Sequence, residues 1–441
     1  MSIILDYNYK DRRFKSDEVF KSINQKYVTL ESYQVKRNNV YLKEVIYEFL
    51  QRMRECDAFF KDNFQEIKWV GSFYKGTRFG SPEEFDLNII IKLPINYNTI
   101  NIQSDRKCKS FIKIQLKDDT LRSKLMPYKV LKKFVNNDLY LNQNEFRQWM
   151  ESVVTKALLS LPTDCGKSQY LIINNKKYTI RVSKNSPAFT LYINVEGVTL
   201  DVDLVAAMEF TDPPPAPFRK ITQKEKTWRA IAKPFHNGNM PNTDIVWRPF
   251  FYEQEREILQ CADVKPVIRQ MKKFRDIQGL HSIASYYIES LFYWEIEKRN
   301  KDKDFLAASK TCIFFNMLKR FYEATMNGEI KDFWHKEYNL LSKIGAAEML
   351  NIQGLLKRII ITIERNIEND PYIIAKFILS KRELEKLQNQ LVCVTREEVR
   401  ESHNSPTTQS LNVSGTIIAV GTAIAAVMAA FKYLTTESNK K

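Results

Sequence analysis

Two strand-like segments more than a hundred residues apart each carry carboxylates two positions apart among apolar neighbours. They are "GSFYKGTRFGSPEEFDLNIIIKLP" at 71–94 and "TLDVDLVAAM" at 199–208. Side chains alternate along a strand, so Glu84 and Asp86 share a face if the first strand begins at or just before Glu84. Leu87, Ile89, Ile91 and Leu93 then point to one side, and Asn88, Ile90 and Lys92 share the side of Asp86. Setting carboxylates against so apolar a strand costs desolvation energy unless something positive meets them. An isolated Glu-x-Asp is often a solvated strand edge. Here Gly71-Ser72 twelve residues before Glu84, and the second acidic strand, argue for a site instead.

Asp201 and Asp203 repeat the two-residue spacing, and one of them can complete a cluster of three carboxylates with Glu84 and Asp86. Such a cluster is self-repelling, and a pair of hard divalent cations relieves it at neutral pH. Two ions about 3.5–4 Å apart suit phosphoryl transfer, activating an attacking hydroxyl and stabilising the leaving phosphate. Gly71 lets the backbone come close, and the Ser72 hydroxyl with nearby amides can hold triphosphate oxygens.

The surrounding pattern predicts an α+β chain. "NNVYLKEVIYEFLQRM" puts Leu42, Val45, Ile46, Phe49, Leu50 and Met53 on one helical face, with Asn38 or Asn39 as cap. A strand near "EIKWV", a strand over 85–93, a helix bearing Phe146, Trp149, Met150, Val153, Val154, Ala157 and Leu158, and three further strand segments follow. Beyond residue 245 the periodicity is almost wholly helical, so a sheet-bearing lobe precedes a helical one, with a ligand cleft between them. The expected divisions are a basic leader (1–37), a core lobe with a mixed sheet and a long spine helix (38–244), a helical lobe (245–394), a polar linker (395–413) and an apolar segment (414–434).

The formal charge of +16, from 68 Lys and Arg against 52 Asp and Glu, biases partners toward polyanions. Six scattered cysteines, with no CxxC or Cys/His cluster, argue against structural zinc and for a reducing compartment. The first residues meet charge too soon for a secretory signal, which predicts a cytoplasmic or nuclear address, with the cytoplasm preferred. Residues 414–431 are uncharged and rich in Ile, Val, Ala and Gly. Their length is marginal for a bilayer, which makes them a candidate C-terminal membrane attachment or a docked helix.

At this point the sequence resembles the cyclic GMP-AMP synthase family and its invertebrate cyclic GMP-AMP synthase-like receptors. The likeness rests on the 71–94 segment and on "VDLVAAMEF", "WRPFFYEQEREIL", "VIRQMKKFRD" and "SIASYYIESLFYWEIE", spanning roughly residues 38–390. The resemblance implies a polymerase-beta-like nucleotidyltransferase core. It also implies an enzyme that joins ATP and GTP into cyclic GMP-AMP for antiviral immunity, using two Mg²⁺ or Mn²⁺ ions, the product acting on a downstream cyclic-dinucleotide receptor.

By position, the resemblance makes Glu84, Asp86 and Asp203 the metal ligands and catalytic residues. Asp203 also orients the acceptor hydroxyl, and Asp201 is a supporting neighbour. The ATP side takes Ser72, Glu84, Phe85, Asp86, Tyr252, Glu253, Gln254, Glu255, Lys272, Ser285, Tyr286, Tyr287, Ile288 and Glu289. The GTP side takes Asp203, Arg248, Pro249, Phe250, Phe251, Tyr252, Glu253, Gln254 and Glu255. Lys272 is read as a compact cation left free for phosphate on a helix whose Val267, Ile268 and Met271 face the core.

Phe250 and Tyr252 stand where relatives often carry small hydroxyl residues, which bears on purine choice. Glu289 stands where a basic residue commonly follows the tyrosine, leaving Arg269 or Lys273 to supply that contact. The vertebrate zinc thumb has no counterpart, which favours double-stranded RNA as activator. Candidate RNA contacts are Lys10, Arg12, Arg13 and Lys15 in the leader, and Arg106, Lys107 and Lys109 within a basic run reaching Lys133. Lys220, Lys224, Lys226 and Arg229 are a candidate extension of that face. The competing readings are a synthase of another cyclic or linear oligonucleotide, and a non-catalytic RNA-binding scaffold of the same fold.

Overall fold

The computed structural model describes residues 5–117, 129–164, 168–183, 189–233 and 243–389. The 395–413 and 414–434 segments, and Arg122 and Lys124 of the basic run, lie outside the described residues. Among the described residues no helix is long and apolar enough to cross a membrane.

The periodic face predicted for the spine is buried as expected: Leu42, Val45, Ile46, Phe49, Leu50 and Met53 are all buried along helix α1, Ser32–Cys56, and Tyr41 joins them. The start differs. Asn38 lies inside the helix with its side chain fully buried, donating through Nδ2 to the Pro82 carbonyl at 3.0 Å. An asparagine that caps in isolation is here drawn to an orphan carbonyl of a distant loop.

Among the described residues ten strands form the sheet: β1 (Phe64–Val70), β2 (Glu84–Ile91), β3 (Ile100–Ser104), β4 (Ile112–Leu116), β5 (Gln169–Ile173), β6 (Lys176–Ser183), β7 (Phe189–Val195), β8 (Val198–Phe210), β9 (Trp228–Ile231) and β10 (Val246–Phe250). Their order is β3-β4-β10-β9-β8-β7-β6-β5, with β2 joining β8 and β1 joining β2. All neighbours are antiparallel except β2 and β8, which run parallel. The 13-residue β8 is the hub. Its first half pairs with β7, its end with β9, and its opposite edge with β2. Its alternating buried residues Val198, Leu200, Val202 and Leu204 carry that edge into the core. Helix α2 (Ala58–Asn63) follows the spine, and helix α3 (Gln143–Leu159) buries Phe146, Trp149 and Met150 on the same lobe, its first amides accepted by the Asn142 side chain.

After β10 the chain is helical: α4 (Tyr252–Ile258), α5 (Lys265–Ile277), α6 (Ser285–Arg299), α7 (Lys310–Met326) and α8 (Ala346–Asn366). A mixed sheet with a spine helix, followed by a helical lobe, is the fold class expected from the sequence.

The leader departs from its aperiodic appearance. Tyr7 and Tyr9 donate to Glu323 and Glu295, Phe14 stacks on Phe315 at 4.4 Å, and Phe20 and Ile23 are buried. Asp17 accepts the backbone N–H groups of Lys310 and Thr311, capping α7 from another part of the chain. Two expected RNA contacts in it are already paired: Lys10 with Asp304 at 2.9 Å and Arg13 with Asp11 at 2.7 Å. Arg12 and Lys15 are exposed, as are Arg106, Lys107 and Lys109. Arg229 is not a surface cation. It is 1% exposed and bound to Glu209 and Glu253, so it does not extend a basic face.

Between β3 and β4, Asp105 is buried, accepts the backbone N–H of Lys107 and Cys108, and pairs with Lys113 at 2.7 Å. Burial raises its pKa, but those donors outweigh burial and hold it below the usual aspartate range. A lowered carboxylate adds stability above its unfolded pKa that is lost as pH falls through the folded one. Asp105→Asn should therefore lower the urea midpoint at pH 7, with the gap to wild type closing as the pH is brought below the ordinary aspartate range.

Candidate active site

The parallel β2–β8 pair places Glu84 opposite Asp201 and Asp86 opposite Asp203. Leu87, Ile89 and Ile91 beyond them are fully buried, so the carboxylates sit at the rim of a strand that is otherwise core. On the far edge of β8, Thr190 stands opposite Asp203 and donates its hydroxyl to Asp203 Oδ1 at 2.6 Å. Gly71, at φ +77°, presses its backbone on Asp86 so closely that a Cβ would lie 1.8 Å from Asp86 Oδ2. Burial first, and then the neighbouring Asp203 carboxylate, push the Asp86 carboxyl up to about 6. Burial and the carboxylates of Glu84 and Asp203 raise Asp201 as well.

Glu84 is exposed and drawn to Arg78, whose Nη1 lies 2.8 Å from Oε2, and that hydrogen bond lowers its pKa. Among the described residues no three His, Cys, Asp or Glu side chains close into a metal-holding group. The register gathers the carboxylates, while Arg78 and Thr190 each claim one of the oxygens. The donor set nevertheless fits hard divalent ions. Asp86 and Asp203 are candidate oxygen donors on adjacent strands, and the Asp203 carboxylate adds to the burial that raises the Asp86 carboxyl.

Ser72 is the second residue of the short helix Gly71–Lys75. Its carbonyl accepts the N–H groups of Thr77 and Arg78 at 2.9 and 3.1 Å, closing the turn. The spine anchors this loop through Asn38 to Pro82 and through Tyr74, whose hydroxyl donates to Asn39 at 3.1 Å.

A cavity of about 480 Å³ opens where β10 meets the helical lobe, and it is large enough for a nucleoside. Of the expected ATP- and GTP-side residues, Arg248, Pro249, Phe250, Phe251, Glu255, Tyr286 and Tyr287 line it. Both tyrosines reach it, so the geometry does not choose between them as a stacking face. Arg248 donates to Ser110 and to Asp332, the latter at 3.2 Å, and lies over the Phe111 ring. Phe250 occupies the wall where a small hydroxyl was the family expectation, while Tyr252 is 1% exposed and does not line the cavity.

Other expected contacts lie elsewhere. Phe85 and Ile288 are core residues. Glu253 pairs with Arg229, and Gln254 donates to the Glu225 and Thr227 carbonyls. Ser285 accepts from Arg275 at 2.7 Å. Lys272, read from its helix face as a free cation, is buried. Its Nζ contacts Glu289 at 2.5 Å and the Thr77 carbonyl at 3.1 Å. Of the two cations considered as substitutes near Glu289, Lys273 pairs with Glu383 and Arg269 donates to the Gly76 carbonyl. Patterning overlooked Arg78, Thr190, Asp332 and Lys75. Lys75 and Arg78 lie within the quoted motif and Thr190 on the hairpin partner of β8, so these three had a positional signal.

A sequence profile of the Mab-21 protein nucleotidyltransferase domain matches residues 73–261, and one of the Mab-21 protein HhH/H2TH-like domain matches 263–358. A cyclic GMP-AMP synthase-like receptor of Trichogramma pretiosum is 33% identical over 386 residues, covering 86% of this chain and 79% of the relative. Receptors of the same description from Microplitis demolitor (32% identical, 92% and 74% covered) and Aethina tumida (30%, 87% and 95%) match as well. The chain belongs to the cyclic GMP-AMP synthase-like receptors of the Mab-21 nucleotidyltransferase family. It is a nucleotidyltransferase, and the family implies dependence on a divalent cation. The nucleotidyltransferase match ends at residue 261, just past α4, and contains all of the carboxylates and the β10 wall of the cavity.

Proposed function

We propose that this nucleotidyltransferase joins ATP and GTP into cyclic GMP-AMP when double-stranded RNA binds it, and so acts as an antiviral sensor in the cytoplasm. The observation that carries the reading is the β2–β8 register, which sets Asp86 beside Asp203 against the backbone of the Gly71-Ser72 turn. Glu84, Asp86 and Asp203 would hold two Mg²⁺ or Mn²⁺ ions, which when bound neutralise phosphate charge and make the attacking ribose hydroxyl more acidic. Ser72 and the adjoining amides hold the donor triphosphate. Asp203, steadied by Thr190, orients the acceptor hydroxyl. Arg248, fixed by Asp332, and the rings of Phe250, Tyr286 and Tyr287 hold the bases. Glu84 joins the set when Arg78 releases it, which gives the activator a defined contact to shift.

Exposed Arg12, Lys15, Arg106, Lys107 and Lys109, with the net charge of +16, support a polyanion as activator. A second reading, a different cyclic or linear product, is favoured by Phe250. An aromatic wall stacks on any purine and offers no hydrogen bond that selects guanine.

Purified protein given ATP and GTP, separately and together, with Mg²⁺ or Mn²⁺ and with duplex RNA, duplex DNA or neither, tests these points. The expected result is one mixed cyclic dinucleotide, formed with RNA and far more slowly without it. Equal rates in all three conditions would remove the sensor role, and a product from ATP alone would favour the second reading.

A further inference from the structure

Four charged side chains from distant parts of the chain meet in one buried cluster, and one of them stands three residues after Ser72. Lys75 Nζ contacts Glu255 at 2.6 Å, Glu289 at 2.9 Å and the Tyr293 hydroxyl at 3.1 Å. Lys272 Nζ contacts the other oxygen of Glu289 at 2.5 Å, and Thr77 donates its hydroxyl to that same oxygen at 2.7 Å. Trp334 donates to the second oxygen of Glu255 at 3.1 Å. The four side chains are between 3% and 7% exposed. Two lysines and two glutamates cancel, and Glu289 accepts from Lys75, Lys272, Thr77 and the Tyr293 hydroxyl, so the cluster is neutral and well satisfied.

An apolar cluster of similar volume could be just as stable, so what the buried charges add is fixed geometry. That geometry falls on one segment. Lys75 and Thr77 enter the cluster, and the Gly76 carbonyl between them accepts from Arg269 of α5. Three consecutive residues are thus held from the helical lobe, directly after the turn whose Gly71 has no slack against Asp86. Burial opposes the charge of Glu289, and the two lysines overcome it, keeping its carboxyl far below the usual range.

We infer that Lys75 and Glu289 are positioning residues for nucleotidyl transfer. They tether the Ser72 turn to the helical lobe and hold it in register with the carboxylates, and Lys272 serves the same tether. The inference rests on the proposed roles of Ser72 and Asp86.

The test compares wild type with Lys75→Met, Glu289→Gln and the double variant. Each single change leaves one uncompensated charge and should lower the melting temperature, whereas the double variant restores neutrality but leaves Glu255 without Lys75 and Lys272 without Glu289, and should regain only part of it. The tether predicts that the double variant nonetheless keeps a kcat at least about tenfold below wild type, with a raised KM for ATP. It also predicts faster hydrogen exchange at the Thr77 and Arg78 amides.

Wild-type kcat and wild-type amide protection in the double variant would overturn the inference. Thr77→Val, which removes only the hydroxyl, covers the case in which the double variant does not fold. It should speed the same amides, and unchanged protection there also overturns the tether. If wild type makes no product while the amides respond as expected, the functional reading falls and the tether stands.

Discussion

Asp86→Asn and Asp203→Asn are each expected to lower product formation from ATP and GTP by at least about a thousandfold, because each removes a charge from the pair that faces the proposed ions. Asparagine preserves size and one carbonyl oxygen, so the loss is one of charge. The Asp86 change carries its own folding control. The folded carboxyl holds its proton up to about pH 6 against an ordinary value of 3.8, so the wild type loses stability as pH rises through 6 and the variant does not. In chelator at pH 7.5 the variant should therefore melt at or above the wild-type temperature. Mn²⁺ should raise the wild-type midpoint and leave the variant little changed. A variant that melts early in chelator would show Asp86 to be a structural residue, and one that retains turnover would remove it from the mechanism.

Gly71→Ala is the second large effect. A methyl there meets Asp86 Oδ2 at 1.8 Å, and the positive φ of 77° adds strain of about 1–2 kcal/mol for any L residue. Either the turn or the carboxylate must move, so turnover should fall to the level of the carboxylate variants, with a lowered urea midpoint. Ser72→Ala, which removes one hydroxyl and leaves the backbone in place, should be milder and appear largely as a raised KM for ATP. Similar kinetics for the two variants would mean that the close approach of the backbone has no catalytic part.

Much of this was legible because it is periodic. The buried stripe of the spine, the apolar run after Asp86 and the alternation along β8 follow from side-chain geometry alone, and Gly71-Ser72 marks a turn in any reading. The parallel register of β2 with β8 had no local signal. A one-residue slip would turn Asp203 to the other face, and the burial of Val202 and Leu204 on β8 beside Leu87 and Ile89 on β2 excludes it.

The fate of Lys272 was equally out of reach. On its own helix it reads as a free cation, and what buries it is Glu289 one helix later and Thr77 almost two hundred residues earlier. Family likeness pointed to the same position without showing that its charge is already answered. The packing of the leader was hidden for a related reason: Tyr7, Tyr9 and Phe14 follow no repeat because their partners lie on α6 and α7.

The docked leader changes how the protein can be handled. Trimming to the first residue of the spine would strip Phe14 from Phe315 and leave the opening amides of α7 without the Asp17 carboxylate. What looks like a ragged preface is a strap across the far lobe. Its removal should yield a sticky, aggregation-prone remnant in place of a tidier enzyme.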